Sequence, residues 1–357
     1  MQTLFIKSIR LYCGRLQTLI LCPEFFCVTK RGARSNLPAS LREQAQSQTE
    51  KGRRRKSTFQ ADRSIKCLFL TILIYLTQIA FADVQGPSEG LPLYYWNEKW
   101  HGRIFENFGD IISLKLVERI VGGPVRIYKK GQKPPEKKLL AIGSLLYFAN
   151  NNDVLWGTGT NGKFTNKKDF KFTSLDIRAI RGPLTRQFLW DTFQIQCPEI
   201  YGDPALLFPY FFPEFKRKDN PIFDYIIIPH YSEEDLFLKE EWDNVVYSTE
   251  PWNEILEKIL NSRFVISSSL HGVILAEAYG IPARLLVVSK NEPLFKYYDY
   301  YLGTNRPHFQ YATSVDEAME MGGESPFDCD LKKLYEAFPF EFWPNVEFRK
   351  STNLNVD

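Results

Sequence analysis

The chain has little of what metal and disulfide chemistry require. Its 357 residues include six cysteines and four histidines. Cys13, Cys22, Cys27 and Cys67 fall near the start, which leaves Cys197 and Cys329 for the rest. Nowhere do these residues take a metal-ligand spacing, so no zinc site, disulfide framework or cofactor is expected. Buried or free thiols are the expectation for Cys197 and Cys329, with pairing left open for an exported domain. Internal repeats and low-complexity tracts are missing from the globular part. A net positive charge is missing there too. Residues 1–66 hold 14 Lys/Arg against 4 Asp/Glu, a net of +10, so the formal charge of +3 leaves 3 − 10 = −7 for the remainder. A mildly acidic body lacks the basic face that nucleic-acid binding needs, and no such partner is expected.

What is present divides into segments. Residues 1–62 are Ser-, Gln- and Arg-rich and read as a disordered basic extension ending near Arg53-Arg54-Arg55-Lys56. Residues 63–90 hold Lys66, the apolar run Cys67–Phe81, Ala80-Phe81-Ala82 and a Gly/Pro/Ser linker. A basic flank, a short apolar run and an A-x-A site form an export signature. Three readings stay open: a single signal-anchor through residues 67–82, an export signal cleaved near Ala82, or a buried helix in a cytoplasmic protein.

Beyond the linker, short strands alternate with helical patterns. Leu93–Trp96, Val125–Tyr128, Leu139–Ile142, Val154–Trp156 and Ile177–Ile180 read as strands. Asp110–Val121 and Pro183–Trp190 read as helices, the first stopped by Gly122-Gly123-Pro124. A Pro-rich stretch, Phe208–Pro221, marks a boundary. Strands follow at Tyr225–Pro229, Val245–Tyr247, Arg263–Ile266 and Arg284–Val288, with helices at Glu233–Lys239, Trp252–Leu260 and Val273–Tyr279. Such alternation predicts α/β architecture with parallel sheets. The expected halves are 91–210 and 222–310, with a helical segment and tail at 311–357.

The most informative stretch is Arg263–Pro282, RFVISSSLHGVILAEAYGIP. An apolar strand, a serine-rich turn and a helix stopped by Gly280 and Pro282 put His271 beyond a strand's carboxyl end. Open α/β sheets bind ligands there, and a helix N-terminus favours an anion. His230 ends the Tyr225–Pro229 strand on the same edge. Arg181 follows Ile177–Ile180, where its planar fork suits a carboxylate or phosphate.

This stretch resembles the histidine-containing strand–turn–helix of the polysaccharide pyruvyl transferases. Asn107-Phe108-Gly109-Asp110 is similar to that family's first motif. Trp156-Gly157-Thr158-Gly159-Thr160, Arg178–Pro183, Tyr201-Gly202-Asp203-Pro204-Ala205 and Ile226–His230 follow in the family's order. The resemblance runs from about Leu93 to Pro307. It implies two Rossmann-like parallel-sheet halves facing a cleft, a GT-B-like arrangement. It also implies transfer of pyruvate from phosphoenolpyruvate onto two hydroxyls of a glycan or lipid-linked sugar, closing a ketal.

That chemistry needs cations for the donor, a general acid for its methylene carbon and a base or relay for the hydroxyl. His271 is the first choice for the acid or a phosphate contact, with His230 as its companion. Arg181, Ser269, Leu270, Gly157 and Gly159 are the expected donor contacts. Asn107, Gly109, Asp110, Asp203 and Glu277 are expected at the acceptor or along the cleft, although Asp110 and Asp203 equally suit helix caps. Family members commonly carry arginine where this chain has Ser269. The substitute cation is then sought at Lys290, Arg263 or Arg284, with Lys290 favoured. Two other readings stay open: a nucleotide-sugar glycosyltransferase of the same architecture, and a glycan-binding protein without activity.

Overall fold

The computed structural model describes residues 90–344 and 346, apart from 98, 101–102, 105 and 239–240, with only the backbone of 99–100 and 103–104. The basic extension, the apolar run and the last residues lie outside them. Among the described residues no helix is long and apolar enough to cross a membrane. These residues belong to one compact unit, Ala80–Asp357.

Two four-stranded sheets organise it. In chain order the elements are β1 (Leu93–Tyr94), β2 (Lys99–Trp100), β3 (Arg103–Ile104), α1 (Phe108–Val121), β4 (Leu139–Leu140), β5 (Val154–Trp156) and β6 (Asp176–Ala179). Then come α2 (Pro183–Phe193), α3 (Phe208–Phe211), β7 (Ile226–Ile228), α4 (Trp252–Leu260), β8 (Val265–Ser267) and α5 (Leu270–Ala278). The chain continues with β9 (Ala283–Leu286), α6 (Phe295–Gly303), β10 (Tyr311–Ala312), α7 (Val315–Met321) and α8 (Leu331–Glu336). The first sheet runs β1-β4-β5-β6 and the second β10-β9-β8-β7, every pairing parallel, while β2 and β3 form a separate antiparallel pair. The α/β expectation therefore holds, and the paired parallel sheets are consistent with a GT-B-like fold.

Strand side chains alternate between faces, and the alternation shows how the layers meet. Leu93, Leu139 and Val154 share one core cluster with Ile226, Ile228 and Val265 of the second sheet. Tyr94, Leu140 and Leu155 point into a separate cluster under α2, while Ile227, Ile266 and Leu286 meet α7. The shared core holds Ile112 and Leu116 of α1, Phe208 and Phe211 of α3, Ile255 of α4 and Val273 of α5. A continuous apolar filling thus joins the two sheets.

Several expected elements come out differently. Val125–Tyr128 contributes a single bridge, Ile127 to Leu93, because its partner β1 is only two residues long. Val245 likewise makes one bridge to Ile227. The expected helix Glu233–Lys239 is a 3₁₀ turn over Tyr231–Leu236, with the His230 ring accepting from Ser232 N. Helix α5 begins at Leu270, three residues before Val273. It is buried nearly all round, so its sequence carries no amphipathic stripe to mark its start. Gly272 lets it approach the sheet, since a Cβ there would lie 2.3 Å from Ser267 Oγ.

Candidate active site

The carboxyl ends of both sheets open onto one cleft of about 270 Å³. After β4 the chain supplies Ser144 and Leu145, and after β5 Asn161, Lys163 and Phe164. His230 and Tyr231 follow β7, Ser269, Leu270 and His271 follow β8, and Glu292 and Lys296 follow β9. Asn107 and Asp110, at the start of α1, complete the wall beside His271.

His271 is the point where separate motifs converge. It sits in the first turn of α5 with its ring laid over Gly109, where an added Cβ would be 2.4 Å from Nδ1. Its Nε2 lies 3.7 Å from Asp203 Oδ2. Asp110 is near enough to sense the ring. Burial raises its carboxyl pKa from 3.8 to about 6, against the opposing pull of His271, Asn107 and Lys296. Asn107 Nδ2 donates to Asp110 Oδ2 at 2.8 Å, and Asn107 Oδ1 accepts from Gly109 N.

A second group carries the charge. Glu292 bridges Lys163 at 2.6 Å and Lys296 at 2.7 Å. Burial would raise the Glu292 pKa, but Lys296, His230 and Lys163 hold it down near 2. Lys296 is itself buried, which lowers its pKa, with Glu292 opposing. His230 is held neutral: burial first, then the nearby Lys296 and Lys163, bring it down to about 3. Its Nδ1 lies 2.7 Å from Ser232 Oγ. The lysine pair shares one carboxylate, so this side of the cleft is net positive. The N-terminus of α5 adds a dipole of the same sign, whereas the first N–H groups of α1 are already taken by Ser248 O and Asn107.

Aromatic rings line the mouth. Trp96 and Tyr231 stack at 5.3 Å, and Tyr147 stacks on Phe164 at 3.9 Å. Such faces suit the apolar side of a sugar ring.

Other expected contacts lie elsewhere. Arg181 is fully buried behind the cleft. Its guanidinium donates to Thr160 O at 2.6 Å and to Ser144 Oγ at 3.0 Å, and pairs with Asp299 at 3.1 Å. Gly157, at φ +80°, makes room for Pro204, and Gly159 makes room for the Arg181 guanidinium. Glu277 is buried in an ion pair with Arg306 and accepts from Tyr300 Oη at 2.6 Å. Lys290 is exposed and outside the cleft lining. Arg263 pairs with Asp224 on the surface, and the Arg284 guanidinium is taken up by Glu324 and the carbonyls of Gln310, Gly322 and Gly323. The cations at the cleft are instead Lys163 and Lys296, with Lys130 over the Phe148 ring at its edge. Sequence reasoning passed over Lys163 and Glu292, although both follow strands and sit beside glycine or proline. Cys197 and Cys329 are free, their thiols pushed up to about 11 and about 12, chiefly by burial.

Residues 88–290 match the polysaccharide pyruvyl transferase family. The chain belongs to that family. Family membership makes it a transferase acting on polysaccharides. The succinoglycan biosynthesis protein ExoV of Rhizobium meliloti (strain 1021) is 30% identical over 249 residues, covering 64% of this chain and 71% of that one. The uncharacterised protein L143 of Acanthamoeba polyphaga mimivirus is 29% identical over 234 residues, covering 62% and 80% respectively. A solved structure of the Klebsiella pneumoniae protein KP1_0663 covers 68% of this chain and 98% of its own, at 12% identity and a TM-score of 0.36. A likeness that loose adds nothing to the functional reading.

Proposed function

We propose that this polysaccharide pyruvyl transferase takes pyruvate from phosphoenolpyruvate and closes it as a ketal on two hydroxyls of a glycan. The observation that carries this reading is the union, in one cleft, of His271 with the net-positive Lys163–Glu292–Lys296 group. Phosphoenolpyruvate brings a carboxylate and a phosphate, and the two ammonium groups and the N-terminus of α5 supply the matching charge. Ser269, where a family arginine is common, leaves room that Lys296 and Lys163 fill electrically from other elements.

The chemistry then divides between the residues. His271 gives a proton to the donor's methylene carbon, which makes C2 electrophilic. One hydroxyl oxygen adds at C2, the second displaces phosphate, and the ketal closes. One hydroxyl proton ends, in net terms, on the new methyl group and the other on the departing phosphate. His230, held neutral beside the lysines, offers an uncharged ring nitrogen to hydrogen-bond a sugar hydroxyl, and the departing phosphate takes the hydroxyl proton. The stacked aromatic pairs hold the acceptor sugar. On this reading, attachment through residues 67–82 would keep the cleft near a lipid-linked acceptor, and fractionating cells that express the full chain with and without those residues tests it.

A nucleotide-sugar donor fits less well. The helix glutamate that meets a ribose in many GT-B enzymes corresponds to Glu277, which here is buried against Arg306. The deciding experiment incubates purified protein with labelled phosphoenolpyruvate, nucleotide sugars and an acidic exopolysaccharide acceptor. Transfer of label from phosphoenolpyruvate with release of one phosphate per ketal is the expected result. Transfer from a nucleotide sugar alone, or from neither, overturns it.

A further inference from the structure

We propose that Asp203 is a positioning residue: it accepts the proton on His271 Nε2 and so leaves Nδ1 as the nitrogen that meets substrate. This rests on the reading of His271 as the group that handles the transferred proton. Asp203 is fully buried, so it cannot itself reach a sugar hydroxyl. Its Oδ1 accepts from Ala205 N at 3.0 Å and caps the turn Pro204–Leu207. Its Oδ2 is buried without a hydrogen-bond partner among the described residues, and so is His271 Nε2. These two orphaned atoms are 3.7 Å apart, a small rotation short of a hydrogen bond. A buried polar atom costs about 1–3 kcal/mol when unpaired, so each gains by closing the gap.

The surroundings hold both partners in place. Asp203 lies between Gly202, at φ +132° against Cys329 Sγ, and Pro204, which seats on Gly157. Two motif glycines therefore fix the carboxylate. A third, Gly109, receives the ring, since any side chain there would strike Nδ1. The His271 side chain retains 12% exposure although Nε2 is buried, so the cleft meets the ring from the Nδ1 side. With Nε2–H given to a carboxylate, the tautomer is set and the imidazolium that donates from Nδ1 is stabilised.

The full-length chain labelled with ¹⁵N-histidine tests this, because four histidines give a resolvable spectrum. Long-range ¹H–¹⁵N correlations, assigned with His271→Gln, should show the neutral His271 ring protonated at Nε2. Asp203→Asn keeps a carbonyl oxygen for the Ala205 cap and turns an amide toward Nε2, so the ring should switch to the Nδ1–H form. In the transfer assay the same variant should lose about 10²–10⁴-fold in kcat with KM for phosphoenolpyruvate within about twofold. An Nδ1-protonated ring in the wild-type chain, or an unchanged tautomer in Asp203→Asn, overturns the proposal. Absence of pyruvyl transfer by the wild type would refute the functional reading instead, while the spectrum would still decide the role of Asp203.

Discussion

Asp110 offers a stability test that needs no substrate. Its carboxyl keeps its proton up to about pH 6 in the folded chain, against 3.8 for a carboxyl in water, with burial as the leading cause. A group that binds its proton more tightly when folded contributes most below the unfolded pKa. That contribution disappears as pH rises through the folded value. The rise from 3.8 to about 6 corresponds to ~3 kcal/mol lost by pH 8. One effect opposes it: Asp110 lies in the first turn of α1, where a negative charge is worth ~0.3–1 kcal/mol. Burial wins, and the net cost of the ionised carboxylate is ~2 kcal/mol. Asp110→Asn should therefore stabilise the chain by ~2 kcal/mol at pH 8, or about 4–8 °C in Tm, and by almost nothing near pH 4. The neighbouring charges, His271 and Lys296, are common to both proteins, so the difference isolates Asp110. Thermal unfolding followed by circular dichroism at pH 4.5, 6 and 8 measures it. A stability gap that is constant across those pH values, or widest at the acid end, would refute the reasoning.

Three further outcomes follow from the charges around the cleft. Lys296→Gln should weaken phosphoenolpyruvate binding by about 10-fold or more, because a charge-assisted contact is worth ~1.5–3 kcal/mol; unchanged affinity by calorimetry would remove Lys296 from the donor site. Arg181→Lys should cost ~2–3 kcal/mol of stability by losing the fork that reaches Thr160, Ser144 and Asp299, while donor affinity of the folded protein falls less than in Lys296→Gln. A variant with unaltered Tm and lost donor binding would return Arg181 to the role of ligand. Glu277→Gln strands Arg306 without its carboxylate and should lower stability by ~3–5 kcal/mol in urea unfolding. Full stability with impaired transfer would instead mark Glu277 as a cleft residue.

The fold was legible where apolar runs had to be buried on both faces. Ile226–Ile228 and Val265–Ser267 stand where the sequence puts strands, because a parallel sheet covered by helices accepts continuous hydrophobic stretches. The cleft positions of His271 and His230 were legible too, since both follow strand ends. Arg181 obeys the same rule in sequence and departs from it in space. Asp299 of α6 reaches behind the sheet and takes its guanidinium, a contact that spans 118 positions of the chain. Lys163, Glu292 and Lys296 form a group only when loops after β5 and β9 meet, and no local pattern encodes that meeting. Strand β10 escaped notice because two residues, Tyr311 and Ala312, carry no period.

One contact far from the cleft limits how the cleft can open. Trp156, at the end of β5 in the first sheet, donates its indole N–H to Leu334 O of α8 at 2.8 Å, and Phe338 meets the same ring edge-on. Trp343 stacks on Phe338 and fills the space over Gly90. The chain, having built the second sheet, thus returns as a strap across the first. Swinging one sheet away from the other would have to pull this tryptophan from its carbonyl and split the shared apolar filling. A hinge between the halves is therefore opposed by both contacts at once. The same strap ties the first sheet to residues more than 170 positions away, so a single unfolding transition, coincident in near- and far-UV circular dichroism, is the expected outcome.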